Sequence, residues 1–314
     1  MIDLIFLGTG GSMPTQGRNL PSIALQYEGL YLLFDCGEDL QRQIERAGIG
    51  LNKKMAIFIS HMHADHILGL PGLLLRFSLL GRLKPLDIFG PPELIEYVRV
   101  NQSTINLGTT FESTVYAIKE GPVFSDNELR VNAFEVDHRG FALGYEIIHQ
   151  KPTGAFLPER AEELNIPKGD LWSKLSKGHS ITLDDGREIS PGDVSKPPAK
   201  PIKLVYTGDT RPCDSLRIAA ENANILISEA MFSSEHKDLA EPRGHMTSID
   251  AATIALDSNV DLLVLTHYSP RYGDGKIIET EAREIFPNTI LARDLMHITI
   301  DKFGKCKITP NNSS

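Results

Sequence analysis

Cysteine is scarce in this chain. Cys36, Cys213 and Cys306 are odd in number and widely spaced, which excludes a disulfide framework and a C-x-x-C metal knuckle. Long apolar runs are missing too. The most apolar stretch, "ILGLPGLLLRFSLLG" at 67–81, is too short to span a bilayer and carries Arg76. The start, "MIDLIFLGTGGSMP", has no basic leader, so the expectation is a cytoplasmic protein without a membrane association. Basic residues are outnumbered, 32 Lys and Arg against 41 Asp and Glu, giving a formal charge of −9. That excludes nucleic-acid binding by bulk positive charge and leaves only local patches for such a partner. Disorder is excluded by what is present: 314 residues at 41% apolar composition bury a large core, as one domain or as one domain with an appendage.

Six apolar, β-branched runs end abruptly in an ionisable residue, as strands do when they deliver side chains to one edge of a sheet. "LYLLFDCG" reaches Asp35, "MAIFISH" His61, "RVNAFEVDH" His138, "IKLVYTGD" Asp209, "NILISE" Glu229 and "DLLVLTH" His267. Between them, "EDLQRQIERAG", "PPELIEYVRV", "TSIDAATIALDS" and "ETEAREIF" are amphipathic at helical spacing. The pattern defines an α/β protein with a polar site on a sheet edge. Residues 151–200 depart from it, with two short helices, a hairpin turning at Asp185-Gly186 and the stiff "SKPPAKP" return, and have little apolar content for a core. The division expected is a main domain over 1–150 and 201–307, an inserted appendage over 151–200 and a frayed tail over 308–314.

The stretch "ISHMHADHILGL" packs His61, His63, Asp65 and His66 into six positions. Buried without partners, four such groups lose free energy, so something must coordinate them, and their nitrogen and oxygen donors suit zinc. His61 and His63, two apart at a strand end, can share one ion, while Asp65 and His66 turn toward a second. The later strand ends complete both sets: His138 joins the first, His267 the second, and Asp209 offers one oxygen to each. No strand-end histidine is left over. Asp35 can orient a ligand from behind or cap the following helix.

His-x-His-x-Asp-His followed by lone His, Asp and His at later strand ends resembles the metallo-β-lactamase superfamily. The resemblance implies a four-layer αβ/βα sandwich. Over residues 2–300 it narrows to the ribonuclease Z family of tRNA 3′-processing endonucleases. "PTQGRN" at 14–19 is similar to the family's P-x-K-x-R-N loop with Gln16 at the lysine, "SEAMF" keeps Glu229 and Ala230 of H-E-A-T, and "GHMTSIDAATIA" keeps His245 and Thr247 of H-S-T with Met246 in place of Ser. The appendage resembles the family's flexible arm, with Asp170 for the proline of its Gly-Pro motif.

The resemblance implies a homodimeric, zinc-dependent endoribonuclease with two Zn²⁺ per subunit. It removes the 3′ trailer of precursor tRNA, leaving a 3′-hydroxyl on the tRNA and a 5′-phosphate on the trailer. Asp65 is expected as proton acceptor as well as ligand, and His245 with Glu229 as the proton-handling pair. Arg18, Asn19, Ser269 and Arg271 are candidates for contact with the cleaved end, and Lys168, Lys174 and Lys177 on the arm for contact with the tRNA backbone. Two other readings stand beside this one: a metallo-β-lactamase-fold phosphodiesterase or arylsulfatase acting on small substrates, and a non-catalytic RNA-binding scaffold.

Overall fold

The computed structural model describes residues 1–309. In chain order its strands are β1 (Ile2–Gly8), β2 (Ser22–Tyr27), β3 (Leu30–Phe34), β4 (Lys54–Phe58), β5 (Leu86–Gly90), β6 (Ser113–Ala117), β7 (Gly121–Asp126), β8 (Leu129–Glu135) and β9 (Leu143–His149). There follow β10 (Ile181–Thr182), β11 (Glu188–Ile189), β12 (Ile202–Tyr206), β13 (Ile225–Glu229), β14 (Leu262–Thr266), β15 (Thr289–Leu291), β16 (His297–Ile300) and β17 (Cys306–Thr309). Among the described residues they form an eight-stranded sheet, β17-β16-β1-β2-β3-β4-β5-β6, a seven-stranded sheet, β15-β14-β13-β12-β9-β8-β7, and the hairpin β10-β11.

The alternation of side chains along the strands explains the layering. On β4, Met55 and Ile57 join a core built with Leu40 and Ile44, with Leu70, Leu73, Leu74 and Phe77, and with Leu94 and Val98. These last residues belong to the helices Leu40–Arg46, Gly69–Leu79 and Glu93–Thr104. Phe58 points the other way. Its ring lies 5.6 Å from that of Tyr145 on β9, and Phe34 on β3 lies 6.1 Å from Tyr206 on β12, so aromatic side chains join the two sheets. Burying each such ring contributes on the order of 1.5–3 kcal/mol. The outer face of the second sheet packs on the helices Asp214–Ala220, Ser248–Asp257 and Lys276–Ile285 through Leu216, Ala220, Ile254, Ala255, Ile278 and Ala282. Helix, sheet, sheet, helix is the αβ/βα order.

What positions the site is strand direction. β3, β4, β5 and β6 run parallel, as do β12, β13, β14 and β15. Parallel strands release their chains at one edge, where open α/β sheets gather polar groups. Asp35 and His267 directly follow β3 and β14, Glu229 closes β13, and His61, His138 and Asp209 each come three residues after a strand.

The described residues divide into two compact units, one of residues 1–124, 131–147 and 203–309, the other of residues 125–130 and 148–202. The second has the two short helices, Pro158–Glu163 and Asp170–Ser176, and the hairpin β10-β11, in which Gly186 N–H donates to Leu183 and Leu183 N–H to Arg187. Contrary to the expectation of little apolar content, it has a core of its own. Ala161, Ile166, Leu175, Ile181, Ile189 and Val194 form a small core, with Phe156 and Trp172 packed on it. Ala161, Leu175, Ile181 and Ile189 come from four separate short elements and Ile166 and Val194 from the connections, so no run in the sequence announces it. Trp172 is a packing anchor here, its indole N–H donating to the Ile166 carbonyl at 3.0 Å. At the C-terminal end, Ile308 and Thr309 belong to β17 and not to a tail, and residues 310–314 lie outside those described.

Candidate metal centre

Three imidazoles of the cluster are aimed by their own second nitrogens. The His66 Nδ1 proton goes to Asp35 Oδ2 at 2.7 Å, and the His138 Nδ1 proton to the Gly244 carbonyl at 2.7 Å. Neither acceptor can donate, so in each neutral imidazole the proton sits on Nδ1 and Nε2 is the atom that can take a cation. Ser60 Oγ donates to Asp35 Oδ2 at 2.8 Å and therefore accepts from His61 Nδ1 at 3.0 Å, leaving His61 Nε2 bare and, being buried, without a hydrogen-bond partner. Gly244 itself has a φ of +80°, and a Cβ there would come within 2.7 Å of His138 Nδ1.

These atoms and their neighbours converge in three overlapping groups, each with donor atoms within 4.8 Å of one another: His61, His63, His138 and Asp209; Asp65, His66 and His267; and Asp209, His245 and His267. The first two are the sets expected from the sequence, and the third brings His245 to their shared edge. His138 Nε2 is 3.0 Å from His63 Nδ1, and His66 Nε2 is 3.2 Å from His267 Nε2. Asp209 stands between, Oδ1 at 3.3 Å from His66 Nε2 and 3.4 Å from His267 Nε2, and Oδ2 at 3.7 Å from His61 Nε2. A tetrahedral zinc ion with bonds of about 2.0–2.1 Å sets neighbouring ligand atoms roughly 3.4 Å apart, so the spacing fits. Facing lone pairs in a dry site repel unless a cation or proton lies between them, and Asp209 Oδ1 is buried with no hydrogen-bond partner. The donor set therefore suits divalent metal.

Electrostatics differ across the cluster: burial opposes charge on His66, but the Asp209 and Asp35 carboxylates beside it hold its pKa well above the ordinary imidazole range, so a cation there takes the place of a proton. Burial holds His61, His63 and His138 below the ordinary imidazole range, which keeps their lone pairs free. Burial acts to raise the Asp209 pKa, but the His267 and His66 imidazoles bring it well below the usual carboxylate range. Asp65 Oδ2 is fixed by the Ser12 N–H at 2.9 Å and lies 3.3 Å from His267 Nε2.

Asp35 is fully buried and accepts four hydrogen bonds, from Ser60 N–H, Ser60 Oγ, His66 Nδ1 and the Tyr206 hydroxyl. It does not cap a helix; Asp39 occupies that place. Ser60 and Tyr206 escaped sequence reasoning, although each stands within three residues of a ligand in "ISH" and "YTGD".

Glu229 is equally buried. Oε1 accepts from Thr210 N–H at 2.6 Å and His245 Nδ1 at 2.9 Å, and Oε2 from the N–H groups of Met231 and Met246. Burial opposes charge on His245, yet the Glu229 carboxylate holds its pKa up at about 9. The His245 ring lies 5.2 Å from His138 and 5.7 Å from His267, beside both donor groups.

The remaining candidates divide. Arg271 is exposed beside Phe232, its guanidinium carbon 5.4 Å from the ring, while Ser269 Oγ is occupied in capping the turn Pro270–Tyr272. Arg18 and Asn19 are committed inward: Arg18 donates to the carbonyls of Thr9 and Tyr268, and Asn19 donates through its backbone and side-chain N–H groups to Asp294. Asp294 also accepts from Thr9 and Gln43, a role nothing in "LARDLMH" announced. Lys168, Lys174 and Lys177 are exposed on the second unit, Lys168 paired with Glu162 at 2.7 Å.

Two sheets faced by helices and a paired His/Asp donor site at their strand ends define a metal-dependent hydrolase of the metallo-β-lactamase fold. The same fold is found in YhfI from Bacillus subtilis, TM-score 0.68 at 20% identity over 95% of this chain and 99% of that one. The short form of human tRNase Z superposes with a TM-score of 0.69 at 26% identity, covering 95% and 99%. Residues 2–140 match the family model described as Anti-Pycsar protein Apyc1. Over nearly its whole length the chain is 42% identical to ribonuclease Z of Gemmatimonas aurantiaca, covering 98% of each. The chain belongs to the ribonuclease Z family.

Proposed function

We propose that this protein is a cytoplasmic, homodimeric endoribonuclease that removes 3′ trailers from precursor tRNA with two zinc ions per subunit. One observation carries the reading: a chain that matches ribonuclease Z from end to end also brings seven donors together, with the two oxygens of Asp209 facing separate sets. When bound, the ions supply a hydroxide nucleophile at neutral pH and Lewis acidity toward phosphoryl oxygens. His61, His63, His138 and Asp209 would hold one, and Asp65, His66, His267 and Asp209 the other. Two carboxylates against two divalent cations leave the site positive, which attracts a phosphodiester. Asp65, held by Ser12, accepts the proton of the attacking water. His245, held by Glu229 through Nδ1, gives a proton to the departing ribose 3′ oxygen. Cleavage on that side leaves a 3′-hydroxyl on the tRNA and a 5′-phosphate on the trailer.

Dimerisation is supported by Leu75, Leu79, Leu80 and Leu83, exposed along and just beyond the helix Gly69–Leu79. Among the described residues no helix is long and apolar enough to cross a membrane. The deciding assay maps both ends made from a 3′-extended tRNA transcript, with a chelator control and zinc add-back. Hydrolysis of a chromogenic bis-aryl phosphate with the transcript left intact would instead favour the small-diester reading.

Residues 151–200 serve as the tRNA-gripping arm in this reading, through Lys168, Lys174 and Lys177. Its base is closed by Gly154 N–H to Lys196, Lys196 N–H to Ala155 and Leu157 N–H to Val194, so excising 155–195 joins ends that are already neighbours. That deletion is expected to raise KM for precursor tRNA at least about tenfold while sparing the chromogenic diester. Equal losses on both substrates would refute the division of labour.

A further inference from the structure

His267 holds an unusual backbone conformation. Its φ is +54°, in the left-handed region that favours glycine, and it directly follows β14. Its imidazole packs against Gly11, where an added Cβ would come within 3.0 Å of Nδ1 and Cε1. Something must keep the backbone there, since otherwise Nε2 would leave the Asp65 and His66 donors.

Arg18 is placed to do it. Its Nη2 donates to the Thr9 carbonyl at 3.0 Å and to the Tyr268 carbonyl at 2.8 Å. The Thr9 carbonyl also accepts the His267 N–H at 3.0 Å, and Tyr268 is the next residue in the chain, so one guanidinium bridges the two carbonyls that flank the ligand. The plane is fixed by stacking, the guanidinium carbon lying 3.4 Å from the centroid of the Tyr268 ring. Asp294 secures the other side, accepting from Thr9 Oγ1 at 2.8 Å and Asn19 N–H at 2.7 Å.

We infer that Arg18 is a positioning residue, whose guanidinium ties Thr9 to Tyr268 and so holds His267 in the conformation from which Nε2 completes the Asp65–His66 donor set. The inference rests on the reading of His267 as a metal ligand. Arg18 acts through backbone carbonyls and touches no substrate. Lysine cannot replace it, because an ammonium has no planar face to stack on Tyr268 and so nothing to hold its donor between the two carbonyls. A cleft of about 1030 Å³, lined by Thr9, Arg18, Tyr268 and Asp294 among others, adjoins the guanidinium, so truncation leaves a space that a free ion can enter.

The test compares wild type with Arg18→Ala and Arg18→Lys by zinc content after dialysis, melting temperature, and kinetics on precursor tRNA and on the chromogenic diester. Both variants are expected to lose kcat on both substrates by a similar factor, roughly 10- to 100-fold. Zinc content is expected to fall toward one per chain, with KM for tRNA changed less than about twofold. Millimolar guanidinium, but not urea, is expected to restore zinc and kcat to Arg18→Ala. A raised KM for tRNA with an unchanged diester kcat would show that Arg18 touches substrate and overturn the inference. So would loss of both ions with a collapsed melting temperature and no guanidinium rescue. Wild type that binds no zinc or hydrolyses neither substrate would remove the reading of the site itself, a failure visible before any variant is made.

Discussion

Asp209→Ala is expected to leave well under two zinc ions per chain and to slow cleavage by at least about a thousandfold, the several kcal/mol that metal ions contribute to phosphoryl transfer. Asp209 is the one donor that faces both groups, Oδ1 toward His66 and His267 and Oδ2 toward His61. No neighbouring carboxylate is free to replace it. Asp35 is engaged by Ser60, His66 and Tyr206, Glu229 by Thr210, Met231, His245 and Met246, and Asp65 by Ser12 and His267. The loss is therefore abrupt and affects both ions. Metal analysis of the dialysed variant decides: two tightly held ions would refute the bridging role whatever the activity did.

His245→Ala is expected to slow cleavage of a normal diester by at least about a hundredfold, the lower range for a positioned general acid, with zinc content near wild type. A ribose 3′ oxygen leaves poorly as an alkoxide. His245 lies beside both donor groups, and Glu229, itself held by three backbone N–H groups, fixes its Nδ1 and leaves Nε2 for the leaving oxygen. With sulfur at the 3′ bridging position the leaving group departs without a proton, so wild type and variant should then cut at similar rates with a metal that tolerates sulfur. An equal loss on the sulfur substrate would show that His245 positions the phosphate instead.

The fold and the location of the site were legible because both depend on short-range pattern. β-branched runs ended in ionisable residues, and parallel strands bring such ends to one edge. What the side chains do beyond that edge was legible only where a residue's partner lies close in sequence. Arg18 and Asn19 are candidates for substrate contact from the sequence, through the likeness of "PTQGRN" to a family loop, and the structure turns both inward. Their partners, Tyr268 and Asp294, are 250 and 275 residues away and no local spacing encodes them. Asp35 reads from the sequence as a cap or as a support, since the partners that decide it, His66 and Tyr206, are 31 and 171 residues distant. The core of the second unit is illegible for a related reason: six apolar residues scattered over four short elements and the connections between them make no periodic run.

Asp35 also couples parts of the molecule that are far apart in the chain. Its four hydrogen bonds come from Ser60 and His66, which follow β4, and from Tyr206 on β12, so one carboxylate joins the edges of both sheets and aims the cage as it does so. Every one of those bonds is made by the polypeptide to itself. A single buried carboxylate is thus the common anchor of the two sheet edges and of the His61 and His66 imidazoles, so a change at Asp35 reaches both donor groups without touching a donor atom.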